Sequence, residues 1–126
     1  MIMLARRILT AARASRFSPA GARLLHVEAS KASITDAIAK EKVLVFSKTH
    51  CPYYARVKDT LEVLDAKFEV VELDMRDDGP EIQSLLLDIT GQRTVPNVFI
   101  NGKHIGGCDA VMALHAKSEL VSMLEK

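Results

Sequence analysis

Apolar residues between residues 28 and 126 follow two patterns in turn, short runs and helical spacing. Three runs have the length and composition of sheet strands: VLVFS (Val43–Ser47), FEVVEL (Phe68–Leu73) and NVFI (Asn97–Ile100). Apolar positions at helical spacing predict helices between these runs, over roughly 31–42, about 52–66 and from Asp78 to Gly91. After Gly106-Gly107 the chain enters a last helical stretch.

Cap and turn residues separate these elements. Ser30 or Ser33 can cap the first helix, and Asp78 is a cap candidate for the third. Asn101-Gly102 is typical of a two-residue β-hairpin, whose second strand would include His104–Ile105. Strands joined through a helix run parallel, whereas hairpin strands run antiparallel. The order α-β-α-β-α-β-β-α therefore predicts the α/β class, with a four-stranded mixed sheet flanked by helices.

The first 27 residues have a different composition. They are rich in Ala and Ser, contain no acidic residue and no lysine, and carry five arginines: Arg6, Arg7, Arg13, Arg16 and Arg23. These arginines interrupt the apolar residues, whereas a secretory signal needs an unbroken apolar stretch. We predict a mitochondrial-type transit peptide over residues 1–27, cut near Leu24 to Glu28, with a plastid address as the alternative. A basic tail that binds anionic surfaces would have the same composition.

Length and charge narrow the class of protein further. The 126 residues suffice for one domain and a tail, and two cysteines are too few for a disulfide scaffold. No apolar run approaches the roughly 18 residues of a membrane-spanning helix, so we expect no membrane span. With the five arginines set aside, the remainder has 12 basic and 16 acidic residues, a net charge of −4. This mildly acidic domain argues against nucleic acid as a partner.

Cys51 is the candidate nucleophile. It follows the strand Val43–Ser47 and precedes Pro52, which starts a helix, so it lies at about the N-cap position. Unpaired backbone N–H groups and the positive end of the helix dipole face a sulfur placed there, and Lys48 adds positive charge. These effects favour the thiolate, which is the reactive form of cysteine. A buried structural cysteine is the alternative.

Tyr54 stands where a C-x-x-C motif would have its second thiol. Cys51 therefore cannot close a local disulfide, and an outside thiol or Cys108 must resolve any mixed disulfide that it forms. Tyr54 begins the apolar stripe of its helix. We expect a half-buried ring with its hydroxyl near the surface rather than a catalytic tyrosine.

Two further motifs are candidates for ligand binding. In Thr94-Val95-Pro96, a cis bond before Pro96 would let the Val95 backbone pair with a bound peptide, whereas a plain loop proline is the alternative. Gly106-Gly107-Cys108-Asp109 opens the last helix, where free N–H groups can hold a carboxylate. Cys108 is either a second redox thiol or a small buried residue. His50, His104 and Cys108 match no zinc spacing, so we expect no metal site.

Together these motifs resemble the glutaredoxin family, in order and at its spacing, over roughly residues 30–126. The matching segments are FSKTHCPY (Phe46–Tyr53), GQRTVPNVFI (Gly91–Ile100) and IGGCD (Ile105–Asp109). The first is similar to the dithiol C-P-Y-C subgroup, with Tyr54 in place of the second cysteine. The resemblance implies a glutaredoxin domain over 28–126, a thioredoxin-like fold and a cis Val95–Pro96 bond.

The resemblance also implies a glutathione groove beside Cys51. Its glycine carboxylate would meet Lys48, Gln83 and Arg93. Its cysteinyl part would pair with the Val95 backbone in the Thr94-Val95-Pro96 loop, with Tyr53 along the wall. Its γ-glutamyl carboxylate would lie on the helix N-terminus at Gly107, Cys108 and Asp109.

Three functions are compatible with these motifs. As a monothiol enzyme, a monomer would use Cys51 to reduce protein–glutathione mixed disulfides, with glutathione or a related low-molecular-weight thiol as co-substrate and glutathionylated proteins as partners. As a carrier, a dimer would hold a [2Fe–2S] cluster through Cys51 and glutathione. Pro52 and Tyr54 crowd the position of such a cluster. A redox-silent binding module, blocked by Tyr54, is a third reading.

Overall fold

Five strands form one mixed sheet in the computed structural model, which describes residues 21–126. They are β1 (Ala22–Leu24), β2 (Val43–Ser47), β3 (Phe68–Glu72), β4 (Asn97–Ile100) and β5 (Lys103–Gly106). Their order across the sheet is β1-β3-β2-β4-β5. β3 runs parallel to β1 and β2, and β4 runs antiparallel to β2 and β5. The predicted parallel crossover from β2 to β3 and the antiparallel hairpin of β4 and β5 are confirmed. The expectation that strands joined through a helix run parallel is wrong for β3 and β4, which run in opposite directions because β4 pairs antiparallel with β2.

Helices cover both faces of this sheet. They are α1 (Lys31–Lys40), α2 (Pro52–Val63), α3 (Gly79–Thr90), α4 (Cys108–Ala116) and α5 (Glu119–Glu125), and a 3₁₀ turn (Leu73–Met75) precedes α3. α1 and α2 end two or three residues earlier than predicted. Among residues 21–126, no helix is both long enough and apolar enough to span a bilayer.

Alternation along β2 divides the core into two layers. Val43 and Val45 face the layer built with α2, α4 and α5, whereas Leu44 and Phe46 face the layer built with α1 and α3. The Phe46 ring meets Phe99 edge-on, with centroids 5.9 Å apart. Both sheet faces are covered, so all five residues of β2 are buried. This explains why its sequence is a continuous apolar run without polar alternation.

The sheet has one strand more than predicted. β1 lies inside the segment assigned to the transit peptide, and it extends the sheet beyond β3. Phe68 N–H donates to the Gly21 carbonyl at 2.9 Å, and the Arg23 side chain pairs with Glu69. The prediction missed β1 because three residues show no periodicity, and this strand exists only through its pairing with β3.

The last helical stretch is two helices rather than one. Ser118 adopts a left-handed conformation with φ of 61°, which ends α4 and starts α5. Its N–H donates to the His115 carbonyl at 3.0 Å. No glycine or proline marks this break, so the apolar pattern continues across it.

The two predicted caps behave differently. Ser30 caps α1, and its hydroxyl accepts a hydrogen bond from the Ser33 N–H at 3.1 Å. Asp78 makes no side-chain cap to α3 and instead binds the Arg76 guanidinium. This hydrogen bond lowers the pKa of the Asp78 carboxyl below its usual range. Arg76 also donates to the Val27 carbonyl at 2.7 Å, so the pair ties the start of α3 to the chain after β1.

Candidate active site

Cys51 occupies the N-cap position of α2, as predicted, with Pro52 in the first turn. Its backbone is extended, with φ of −85° and ψ of 115°, and its side chain is partly exposed. Within the described residues, no side chain caps this helix end. The first N–H groups of α2 and its positive dipole end are therefore available to a negative charge on the Cys51 sulfur.

A tight turn presents Cys51 at this helix end. The Cys51 N–H donates to the Lys48 carbonyl at 3.1 Å. Between these residues, the Thr49 N–H donates to both carboxylate oxygens of Asp74, at 3.0 and 3.1 Å, and the Thr49 hydroxyl donates to the same group. These hydrogen bonds lower the pKa of Asp74. The turn before the thiol is thus held by the 3₁₀ turn that follows β3.

The Val95–Pro96 bond is cis, as predicted. The Val95 carbonyl lies 3.8 Å from the Cys51 sulfur, a long contact to which the thiol donates. Pro96 is buried at the base of the loop and Val95 is half-buried. The loop before β4 and the N-terminus of α2 therefore meet at the thiol, although 44 residues separate Cys51 from Val95 in sequence.

A cleft of about 800 Å³ extends from this loop to the start of α4. Seven of the predicted binding residues line it: Tyr53, Thr94, Val95, Pro96, Gly107, Cys108 and Asp109. Tyr53 is 58% exposed and belongs to the lining, so it is the aromatic residue predicted at the cleft wall.

The far end of the cleft is the N-terminus of α4. Gly107 is the N-cap, and no side chain caps the helix within residues 21–126. Cys108 is 5% exposed and packs in the core layer, whereas Asp109 is exposed. Free N–H groups at a helix start suit a carboxylate.

Four predicted residues lie outside the lining of this cleft: the nucleophile Cys51 and the binding residues Lys48, Gln83 and Arg93. Gln83 comes from α3, and its amide donates to the Arg93 carbonyl at 3.1 Å. Lys48 belongs to the turn before Cys51 and is half-buried. The structure thus joins Gln83 to Arg93 and joins Lys48 to Cys51 through the backbone, without showing one common anion site.

Tyr54 is more deeply buried than predicted. Its side chain is 8% exposed and packs with Val57 and Leu61 in the core layer behind α2. Burial, together with the nearby carboxylates of Glu72 and Glu62, raises the pKa of Tyr54 to about 12. A phenol with so high a pKa is a poor proton donor at neutral pH. Tyr54 therefore fills space under the site.

Four residues near the site were not predicted to act there: Asp74, Gln92, Asn97 and His104. Asp74 and Gln92 hold the two loops that meet at Cys51, and fully buried Asn97 links Gln92 to His104. Burial lowers the pKa of His104. Asn97 could have been noticed in the sequence, because it is a polar residue at the first position of a short apolar run. No sequence signal indicated that Asp74 would bind Thr49, which lies 25 residues away.

Among the described residues, no group of three or more His, Cys, Asp or Glu side chains is arranged to hold a metal ion.

Comparison with known proteins places this geometry in a family. Residues 43–105 match the family described as Glutaredoxin. The chain is 58% identical over 89 residues to Glutaredoxin-C2 of Arabidopsis thaliana, covering 71% of this chain and 80% of that protein. It is 49% identical to buckwheat glutaredoxin in a glutaredoxin–glutathione complex, with a TM-score of 0.73, covering 75% of this chain and 86% of the other. A mutated buckwheat glutaredoxin is 48% identical, with a TM-score of 0.74 and the same coverage.

The mixed sheet, the cysteine at the N-terminus of α2 and the cis-proline loop define a thiol oxidoreductase of the thioredoxin-like fold, as predicted. Within that class, the chain belongs to the glutaredoxin family.

Proposed function

We propose that this protein reduces protein–glutathione mixed disulfides through Cys51 alone, with glutathione as co-substrate. The observation that carries the proposal is the position of Cys51, which lies at the N-cap position of α2 with its sulfur 3.8 Å from the Val95 carbonyl. The position three residues on holds a buried tyrosine, which cannot resolve a disulfide. The buckwheat relative in complex with glutathione supports this choice of co-substrate.

The reaction proceeds by two thiol–disulfide exchanges. First, the Cys51 thiolate attacks the glutathione sulfur of the mixed disulfide. The disulfide breaks, Cys51 becomes glutathionylated, and the protein thiolate leaves and takes up a proton. Next, the thiolate of a second glutathione attacks the sulfur of the bound glutathione. Oxidised glutathione leaves, and the Cys51 thiolate is restored.

The cleft and the turn before Cys51 offer groups that suit glutathione. Glutathione is a short peptide, and an extended peptide pairs with exposed backbone. In our proposal its cysteinyl part pairs with the Val95 backbone, its γ-glutamyl carboxylate lies on the N-terminus of α4 at Cys108 and Asp109, and its glycine carboxylate extends toward Lys48. Tyr53 borders the bound peptide.

The test is glutathione-dependent reduction of a glutathionylated peptide by the full chain. Cys51→Ser should reduce turnover to the uncatalysed background, while Cys108→Ser should retain most of it, since Cys108 is buried and not required. Background-level turnover by the unmodified chain, or full activity of Cys51→Ser, would refute the proposal. In the former case, the absorbance spectrum of anaerobically purified protein would tell a [2Fe–2S] carrier from a blocked site.

We also propose that the arginine-rich N-terminal segment is a mitochondrial address. The transit segment predicted over 1–27 lies mostly outside the described residues. The pairing of β1 with β3 supports a cut before residue 22, because the cut predicted near Leu24 to Glu28 would remove that strand. Import into isolated mitochondria, followed by N-terminal sequencing of the product, tests both points. Import into plastids alone would overturn the mitochondrial address.

A further inference from the structure

Gln92 connects the two sides of the loop that carries Val95. Its side-chain nitrogen donates to the Thr94 carbonyl at 3.0 Å and to the Pro96 carbonyl at 3.1 Å. These carbonyls lie on either side of Val95. An amide nitrogen has two hydrogens, so both are used within the loop. Gln92 therefore braces the loop and has no N–H left for a ligand.

Gln92 is itself held from two directions. Its backbone N–H donates to the Thr90 hydroxyl at 3.0 Å, at the end of α3. Its backbone carbonyl accepts from the Asn97 amide at 3.4 Å, and Asn97 is fully buried. The other end of the Asn97 amide accepts from His104 Nε2 at 2.9 Å. This chain of hydrogen bonds anchors Gln92 to α3, β4 and β5.

The Gln92 side chain also lies against the glycine turn that starts α4. A Cβ built on Gly106 would lie 3.7 Å from Gln92 Oε1, and one built on Gly107 would lie 3.8 Å from Gln92 Nε2. The side chain thus fills the space between the Val95 loop and the N-terminus of α4. These are the two parts of the cleft to which the proposed function assigns the peptide backbone and one carboxylate.

We propose that Gln92 is a positioning residue for thiol exchange, which holds the Val95 backbone where it faces Cys51. The inference rests on the proposed function, because Val95 is the residue that would pair with glutathione there. The physical reason is that a loop braced before binding loses less conformational entropy when the peptide binds. Without the two hydrogen bonds of Gln92, the loop must lose this entropy when the peptide binds, so binding is weaker.

The main variant is Gln92→Met, which keeps side-chain length and removes both donors. We expect KM for the glutathionylated peptide to rise roughly tenfold, with kcat within about twofold, since each lost neutral hydrogen bond changes affinity by a factor of several. Thr90→Val removes one support of Gln92 and should raise KM less. Asp88→Ala alters an exposed carboxylate on α3 and should leave KM unchanged.

A second readout does not depend on turnover. The ¹⁵N order parameter of the Val95 amide should be ~0.85 in the unmodified chain and fall below ~0.6 in Gln92→Met. An unchanged KM with an unchanged order parameter would overturn the role of Gln92, as would a loss confined to kcat. If Cys51-dependent turnover is absent from the unmodified chain, the proposed function fails. The order parameter then still decides whether Gln92 braces the loop.

Discussion

The carboxylate of Asp74 accepts hydrogen bonds from both the backbone N–H and the hydroxyl of Thr49, two residues before Cys51. Asp74 lies in the 3₁₀ turn after β3, so an element distant in sequence sets the approach of the chain to the nucleophile. A turn with one fixed conformation keeps the sulfur at the N-terminus of α2, where free N–H groups suit a negative charge.

Removal of this anchor should weaken activity. In Asp74→Ala the turn before Cys51 loses its bonds to the carboxylate, so we expect several-fold lower turnover of a glutathionylated peptide, with the fold retained by circular dichroism. Asp77→Ala, which removes an exposed carboxylate three residues on, is the matched control. Equal activity in both variants would contradict the role of Asp74.

The same anchor predicts a response to acid. The hydrogen bonds from Thr49 lower the pKa of Asp74 from its ordinary value of 3.8, so ionised Asp74 stabilises the folded state. This stability is present above the unfolded pKa and is lost as pH falls through the lower folded value. Urea unfolding between about pH 2 and 5 should show a shallower acid loss for Asp74→Ala than for the unmodified chain. Parallel curves would refute the linkage.

Tyr54 should make the stability of the folded state fall at alkaline pH, whereas Asp74 makes it fall in acid. Burial raises its pKa to about 12, above the ordinary value of 10.0, so the neutral phenol stabilises the folded state. This stability is complete below the unfolded pKa and is lost as pH rises toward the folded value. Tyr54→Phe should therefore lose less stability between about pH 10 and 12 than the unmodified chain, with parallel curves at pH 7–9. A common slope through the alkaline range would contradict this.

A second thiol introduced at position 54 should change the chemistry available to Cys51. After mild oxidation, Tyr54→Cys should form a disulfide between residues 51 and 54 and show one free thiol on denaturation. Tyr54→Ser leaves a similar cavity and should show two, because the chain has two cysteines. Both variants should lose roughly 3–5 kcal/mol of stability, since each empties the space of a buried ring. Two or more free thiols in oxidised Tyr54→Cys would contradict the expected geometry.

Gly79 should be intolerant of any side chain. A Cβ on Gly79 would lie 2.0 Å from the Leu73 carbonyl oxygen, far inside contact distance. Gly79→Ala must move α3 or the 3₁₀ turn, so we expect a loss of about 1–3 kcal/mol in urea unfolding. Gly91→Asn is the control, because its left-handed position accepts asparagine and a Cβ there meets open space. A larger loss for Gly91→Asn than for Gly79→Ala would contradict this account.

Several elements of the fold and the nucleophile could be predicted from local sequence. Apolar positions at helical spacing predicted α2 and α3, and a short apolar run predicted β2, because both patterns can be recognised without knowledge of the packing partner. The pair Asn101-Gly102 placed the hairpin for the same reason. The position of Cys51 before Pro52 located the nucleophile, since cap and proline chemistry is set within a few residues. The three motifs, in order, identified the family.

Tertiary structure alone decided the rest, since it depends on residues far apart in sequence. β1 forms because β3 offers an open edge, and three residues carry no periodic signal of that pairing. Asp74 reaches Thr49 over 25 residues. Gln92 makes its bonds locally, yet only the packed cleft shows that it lies between the Val95 loop and the start of α4. From the helical spacing alone Tyr54 was predicted to be half-buried, but the core layer packed behind α2 buries it.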